Sequence, residues 1–335
     1  MTNLYKILFF NTLVTGTLIS ISSYSWFSMW MGLEINLLSM IPLMSTKSIF
    51  ASESALKYFI TQTLASSAVL FAIIMMSNKS EFIPQNSSFF LYMMMNSALL
   101  TKLGAAPFHS WFPEVLEGLD WVNCLILLTW QKIAPMILIM YNLQMNLFFS
   151  VIILMSSVTG SILGMNQVSL RKIMAYSSIN HIGWMIASMY SFSTWINYFL
   201  IYCLISFNIV ILLLSSKTYW LSQIPNLFKN TKMFKMTFML NFLSLGGIPP
   251  FLGFFPKWIT INLMVENEFF LLSFLMIILT LITLFFYLRI TFSTLTINSS
   301  ETLISDNKIN LFLANSLNFV SLSGLALCTL IPNLT

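Results

Sequence analysis

Glu34, Lys102, Lys132 and Lys257 each stand inside an otherwise apolar stretch: WMGLEINLLSM, LLTKLGAAPF, LTWQKIAPM and FFPKWIT. A charge at the centre of a bilayer costs on the order of 3 kcal/mol. Four such charges would cost roughly 12 kcal/mol, comparable to the whole stability of a typical domain. Pairing, hydration or neutralisation must offset that. Three lysines and one glutamate suit proton handling, because burial favours a neutral amine and a neighbouring carboxylate favours an ammonium. Glu34 is therefore expected to pair with Lys102, so that moving or neutralising it switches a lysine between holding and releasing a proton.

The remaining polar groups divide by position. Lys6, Lys57 and Lys235 lie near the ends of apolar stretches, where long side chains reach back to the interface. His181, in SSINHIGW, shares a polar patch with Ser177, Ser178 and Asn180. It is either a relay between Lys132 and Lys257 or a core histidine satisfied by a neighbour, and both readings stay open. His109 sits beside a Gly/Pro break and has carbonyls there to cap. Glu114, Glu117 and Asp120 read as solvated loop acids. Cys124, Cys203 and Cys328 lie far apart in apolar runs and read as small hydrophobes. There is no G-x-G-x-x-G after a strand, no P-loop, no cysteine cluster for iron–sulfur and no histidine pair for haem. Redox chemistry and bound metal are thus not expected in this chain.

The elements that hold these residues follow from composition. Of 335 residues, 58% are hydrophobic and 7% charged, against roughly 25% charged in a soluble domain. The basic excess, 15 residues against 10 acidic, is scattered and not interleaved with aromatics, so nucleic acid is not a partner. Windows of about 20 apolar residues give spans near 4–23, 26–44, 56–76, 89–106, 121–141, 146–164, 172–190, 195–215, 236–264, 269–292 and 311–332. The expected fold is therefore an all-α polytopic membrane protein of about eleven transmembrane helices in a single domain over 1–335. Lys6 and the apolar run after it resemble a signal peptide, but the length of the run and the spans that follow it point to a first transmembrane helix. No arginine precedes Arg171, so an Arg-rich transit peptide is not expected, and a mitochondrial chain of this kind would be made inside the organelle.

Charge placement supports the span count. If the spans alternate, one side receives Lys6, Lys47, Lys57, Arg171, Lys172, Lys217, Lys229, Lys232, Lys235, Arg289 and Lys308, and the other receives Lys79. Short loops rich in Lys and Arg face cytoplasm-like compartments. The N-terminus is accordingly expected on the cytoplasmic or matrix side.

Two segments read alike. Leu103-Gly-Ala-Ala-Pro107 runs into Phe108-His-Ser-Trp-Phe-Pro113, and Leu245-Gly-Gly-Ile-Pro249, after an extra Pro250, runs into Phe251-Leu-Gly-Phe-Phe-Pro256. Gly and Pro inside an apolar stretch interrupt its helix. Freed backbone groups at membrane depth are tolerated where protein or a water-filled cavity satisfies them. The breaks fall in the fourth and ninth spans, an odd separation, so these two discontinuous helices cross in opposite directions. That predicts inverted repeats over approximately 1–141 and 146–292, with 311–332 as an added C-terminal helix.

MGLEINLLS, KYFITQ, LLTKLGAAPFHSWFPEVLEG, LLTWQKIAP, SLRKIMAYSSINHIGWM and FLSLGGIPPFLGFFPKW together resemble the mitochondrially encoded, antiporter-like membrane subunits of NADH–ubiquinone oxidoreductase, respiratory complex I. The motifs spread from about residue 26 to 290. The resemblance implies a chain related to subunits of cation/proton antiporters, shortened from fourteen helices by loss of the first three. It implies that Glu34 and Lys102 form the family's glutamate–lysine pair, that Lys132 is its central lysine and Lys257 its distal one, and that His181 lies on the same hydrophilic axis. It further implies that NADH, FMN, iron–sulfur clusters and ubiquinone are bound by other subunits and no cofactor by this chain. The partners implied are neighbouring antiporter-like and small membrane-arm subunits and lipid. The location implied is the mitochondrial inner membrane, with the N-terminus in the matrix and the C-terminus in the intermembrane space.

The function expected is proton translocation coupled to NADH:ubiquinone electron transfer elsewhere in the complex. An independent cation/proton antiporter would use the same lysines, but Glu34 as the sole intramembrane carboxylate makes a thin cation site. A structural spacer predicts that Lys132→Met leaves pumping stoichiometry intact.

Overall fold

In hydrocarbon a single segment must satisfy its backbone hydrogen bonds internally, which makes the helix its stable form. The structure, a computed structural model, describes residues 4–45, 48–77, 87–143, 146–224, 232–249 and 251–295, and these form helices and their connections without a strand among them. The helices are α1 (Leu4–Ser22), α2 (Trp26–Met44), α3 (Ile49–Ser77), α4 (Ser87–Leu103), α5 (Trp111–Gly118), α6 (Trp121–Leu128) and α7 (Trp130–Met140). They continue with α8 (Asn146–Met165), α9 (Leu170–Ser188), α10 (Phe192–Ser216), α11 (Lys232–Gly246), α12 (Phe254–Glu266) and α13 (Phe270–Leu295). The predicted eleventh span, 311–332, lies outside the described residues. Among those described, seven helical stretches are long and apolar enough to cross a membrane, α6 and α7 counting together as one.

α9 is not among the seven, and its burial gives the reason. Nearly all of its residues, including Ser177, Ser178, Asn180 and His181, are buried against protein. A helix covered by other helices need not be apolar all round. By contrast, α13 leaves Leu271, Phe274, Leu281 and Phe285 more than half exposed, as a lipid-facing helix would.

The chain divides into two compact units, Met1–Ile152 and Ile153–Thr335. Each contains one Gly/Pro break, and the two breaks share one backbone geometry. In the first unit Gly104 has φ +75°, with Gly104 N–H donating to the Thr101 carbonyl (3.1 Å) and Ala105 N–H to the Leu100 carbonyl (3.1 Å). In the second, Gly247 has φ +75°, with Gly247 N–H donating to Ser244 (3.0 Å) and Ile248 N–H to Leu243 (3.5 Å). This is the Schellman termination, in which a left-handed residue, usually glycine, closes the helix on its own last carbonyls. After it, Phe108 N–H bonds the Ala105 carbonyl and Phe251 N–H bonds the Ile248 carbonyl.

These pairings shift the expected register by one residue. Gly104 corresponds to Gly247, so Pro107 aligns with Pro250, Phe108 with Phe251 and Pro113 with Pro256. No proline is inserted. Sequence alone pairs the first glycine of each motif, whereas the backbone selects the glycine that takes positive φ.

A third interruption separates α6 from α7 at Thr129, where φ −117° and ψ −71° depart from helical values. The sequence predicts one unbroken span over 121–141. Instead Pro135 lies inside α7 and the break precedes Lys132, whose N–H bonds the Thr129 carbonyl at 3.3 Å.

Within each unit the helix ends meet as alternating crossings require. Asn123 at the start of α6 donates to the Leu43 carbonyl at the end of α2 (3.0 Å). Lys57 near the start of α3 pairs with Glu114 on α5 (3.0 Å), and also with Glu53 (3.1 Å), in keeping with an interfacial lysine. In the second unit Arg289 on α13 donates to the Met165 and Gln167 carbonyls after α8 (2.7 and 2.6 Å). Leu170 N–H bonds the Tyr219 carbonyl (2.9 Å), and Arg171 lies 4.6 Å over the Tyr219 ring. The links after α8 and α10 and the far part of α13 thus share one end of the second unit, the end carrying Arg171, Lys172, Lys217 and Arg289.

Candidate functional site

Lys102 occupies the last turn of α4, where the negative end of the helix dipole favours a cation. The break after it is tied back by α5: the Trp111 indole N–H donates to the Thr101 carbonyl at 3.0 Å. Phe112, next in sequence and edge-on to Trp111, lies with its ring centroid 6.0 Å from Lys132 Nζ. Lys132 comes from the opposite direction in sequence, on the first turn of α7. Its neighbour Gln131 donates through Nε2 to Asn36 Oδ1 of α2 at 2.9 Å, which pins α7 to α2. Pro135 has no N–H to offer the Gln131 carbonyl, so the backbone around Lys132 is loosened on both sides.

These elements bring Lys102 and Lys132 to one cavity. It measures about 20 Å³ and is walled by both lysines together with Tyr58, Gln62, Phe112 and Gln131. That is room for about one water molecule. Lys102 is 8% exposed and Lys132 1%, so the shared space is internal.

Glu34 stands apart from this wall. Its charge is near enough to be felt at Lys102, yet among the described residues no ion pair joins them, and its Oε1 is buried without a hydrogen-bond partner. The expected Glu34–Lys102 pairing is therefore a through-space relation between α2 and α4 and not an ion pair.

In the second unit the corresponding break holds Lys257, on the first turn of α12 and 7% exposed. Its Nζ donates to the Gly246 carbonyl at 2.8 Å, and the Trp184 ring centroid lies 5.9 Å away. Lys257 thus caps the C-terminal end of α11 from across the break, whereas Lys102 belongs to the helix that ends. His181 on α9 faces the same region: its Nδ1 is 2.9 Å from the Tyr198 hydroxyl of α10. A cavity of about 10 Å³ is lined by His181, Tyr198, Tyr202, Ser244, Gly253 and Pro256. His109 is half-buried at the first break, beside the Pro107 carbonyl.

Sequence reading missed the neutral polar residues of both sites: Asn36, Tyr58, Gln62 and Gln131 in the first, Tyr198 and Tyr202 in the second. Tyr58 and Gln62 lie in KYFITQ with helical i, i+4 spacing, which is the signal that would have placed them on one face.

The family model described as NADH:quinone oxidoreductase/Mrp antiporter, TM, matches residues 23–283. An NADH-ubiquinone oxidoreductase chain 2 from Anopheles gambiae is 50% identical over 337 residues, covering 97% of this chain and 97% of the relative. A chain of respiratory complex I from Thermus thermophilus, solved with bound aureothin, superposes with a TM-score of 0.89 at 21% identity, over 100% of this chain and 80% of that one. A chain of the Mrp complex from Dietzia sp. superposes with a TM-score of 0.83 at 16% identity, over 96% of this chain and 74% of that one. At those identities the two solved structures establish likeness of fold.

Proposed function

The chain belongs to the NADH-ubiquinone oxidoreductase chain 2 family, antiporter-like membrane subunits of respiratory complex I related to Mrp antiporters, and we propose that it translocates protons while electron transfer proceeds in other subunits. The observation that carries this reading is the water-sized cavity that Lys102 and Lys132 share. Two ammonium groups facing one internal space repel at low effective dielectric. The protonation of either lysine therefore depends on that of the other, and a proton arriving at one favours departure from the other. Glu34, within electrostatic reach of Lys102, biases which lysine holds the proton. Lys257, with His181 and Tyr198, would form the second station.

On this reading the chain sits in the mitochondrial inner membrane with its N-terminus in the matrix and its C-terminus in the intermembrane space. It packs among antiporter-like and small membrane-arm subunits. NADH, FMN, iron–sulfur clusters and ubiquinone are the business of other subunits, and this chain contributes no redox centre to the complex.

The test is complex I assembled with Lys132→Met, a side chain of similar length with no ionisable group, in sealed vesicles supplied with NADH. The protons ejected per electron are expected to fall while quinone reduction in leaky membranes continues. An unchanged ratio would favour a spacer role and overturn the proposal.

A further inference from the structure

Two residues of the first cavity have no part in the charge relay just described. Tyr58 and Gln62 stand four residues apart on α3 and so share one face of it. Both line the cavity with Lys102 and Lys132, and they are 3% and 4% exposed. Among the described residues, neither the Tyr58 hydroxyl nor the Gln62 amide is hydrogen-bonded to protein. The Tyr58 ring is held instead by packing at 5.9 Å from Trp111. Buried polar groups of this kind are ordinarily satisfied, by protein or by ordered water. A buried water in turn takes two to four polar partners.

The opposite wall is partly engaged. Gln131 Nε2 donates to Asn36 Oδ1 at 2.9 Å, which engages one donor and one acceptor there, whereas on α3 both polar side chains face the cavity without a protein partner among the described residues. We propose that Tyr58 and Gln62 hold the water through which Lys102 and Lys132 exchange a proton. They are positioning residues: their donors and acceptors orient the water, and neither gains or loses a proton overall. In the exchange an N–H bond of one ammonium breaks as an O–H bond forms on the water. An O–H bond of the water then breaks as an N–H bond forms on the other amine. One proton moves, and the water is regenerated.

This inference rests on the proton-translocation reading, and the experiment separates the two. Complex I is assembled with Tyr58→Phe, which keeps the ring against Trp111, with Gln62→Leu, which keeps the bulk, and with Lys132→Met as reference. Losing one hydrogen bond to the water is expected to slow coupled proton ejection about tenfold, equivalent to about 1.4 kcal/mol. In redox-difference infrared spectra, an internal-water O–H band that shifts in H₂¹⁸O should vanish in both α3 variants. Gln62→Glu, which retains an acceptor, should restore part of the rate; a packing role would not be rescued in this way. If Lys132→Met abolishes coupling while both α3 variants pump at the native rate with the band intact, the inference is wrong and the function stands. If Lys132→Met leaves ejection untouched, both fall together.

Discussion

Glu34 Oε1 is buried without a hydrogen-bond partner, an arrangement that costs stability wherever it occurs. Had the carboxylate closed onto Lys102, the pair would be a static ion pair and a poor switch. Left apart, on the proposed reading it would act on Lys102 through space, and a shift of α2 against α4 would change that influence. Glu34→Gln removes the charge and keeps the shape. It should lower the rate of coupled proton ejection roughly tenfold, since about 1.4 kcal/mol of lost interaction suffices for that, while assembled complex remains at native levels; unaltered ejection in sealed vesicles would sink this account. At this scale the sequence is legible where a residue is chemically out of place. Lysine in an apolar helix announces itself by its cost. Tyr58 and Gln62 do not, because tyrosine and glutamine are unremarked in a helix, and what singles them out is the cavity that α3 lines together with α2, α4, α5, α6 and α7.

The three buried lysines all stand beside an interrupted helix: Lys102 before Gly104, Lys132 after Thr129, Lys257 after Gly247. A break leaves carbonyls without their helical donors, and Lys257 takes one of them, at Gly246. The Gly247→Ala change puts this to the test. A side chain at φ +75° is strained by about 1–2 kcal/mol, and its Cβ would come within 2.8 Å of Lys257 Cδ. Reduced thermal stability of the assembled complex is expected, together with impaired proton ejection. Gly104→Ala should cost stability in the same way, but its Cβ meets Phe112, so the first site would be disturbed through the ring and not through its lysine. Complexes carrying either change with unaltered melting and coupling would show that the turns carry no such constraint. Gly/Pro motifs made two of the three breaks readable. The third was hidden because Thr129 is an unexceptional residue, and the conspicuous Pro135 proved compatible with α7.

Over the whole molecule, the pattern of basic residues predicts the topology. Lys and Arg are expensive to carry across a membrane, so their distribution records which loops stayed behind. In the second unit the links after α8 and α10 come together at one end, bound by Leu170, Tyr219 and Arg289, as the pattern required. Orientation can be read with a membrane-impermeant maleimide. Asn166→Cys and Lys217→Cys should both react from the matrix face, and Asn267→Cys, between α12 and α13, from the opposite face. Labelling of Asn166→Cys and Lys217→Cys from different faces would break the alternation. α9, legible as the span 172–190, is less apolar than the seven because its surroundings are protein.

An unbroken helix behaves as a stiff rod, because each turn is bonded to the next. At Gly104 and at Gly247 that rod is cut. Across each cut a side chain spans the gap: the Trp111 indole reaches back to the Thr101 carbonyl, and the Lys257 ammonium to the Gly246 carbonyl. Lys102 rides on the segment ahead of its joint and Lys257 on the segment behind.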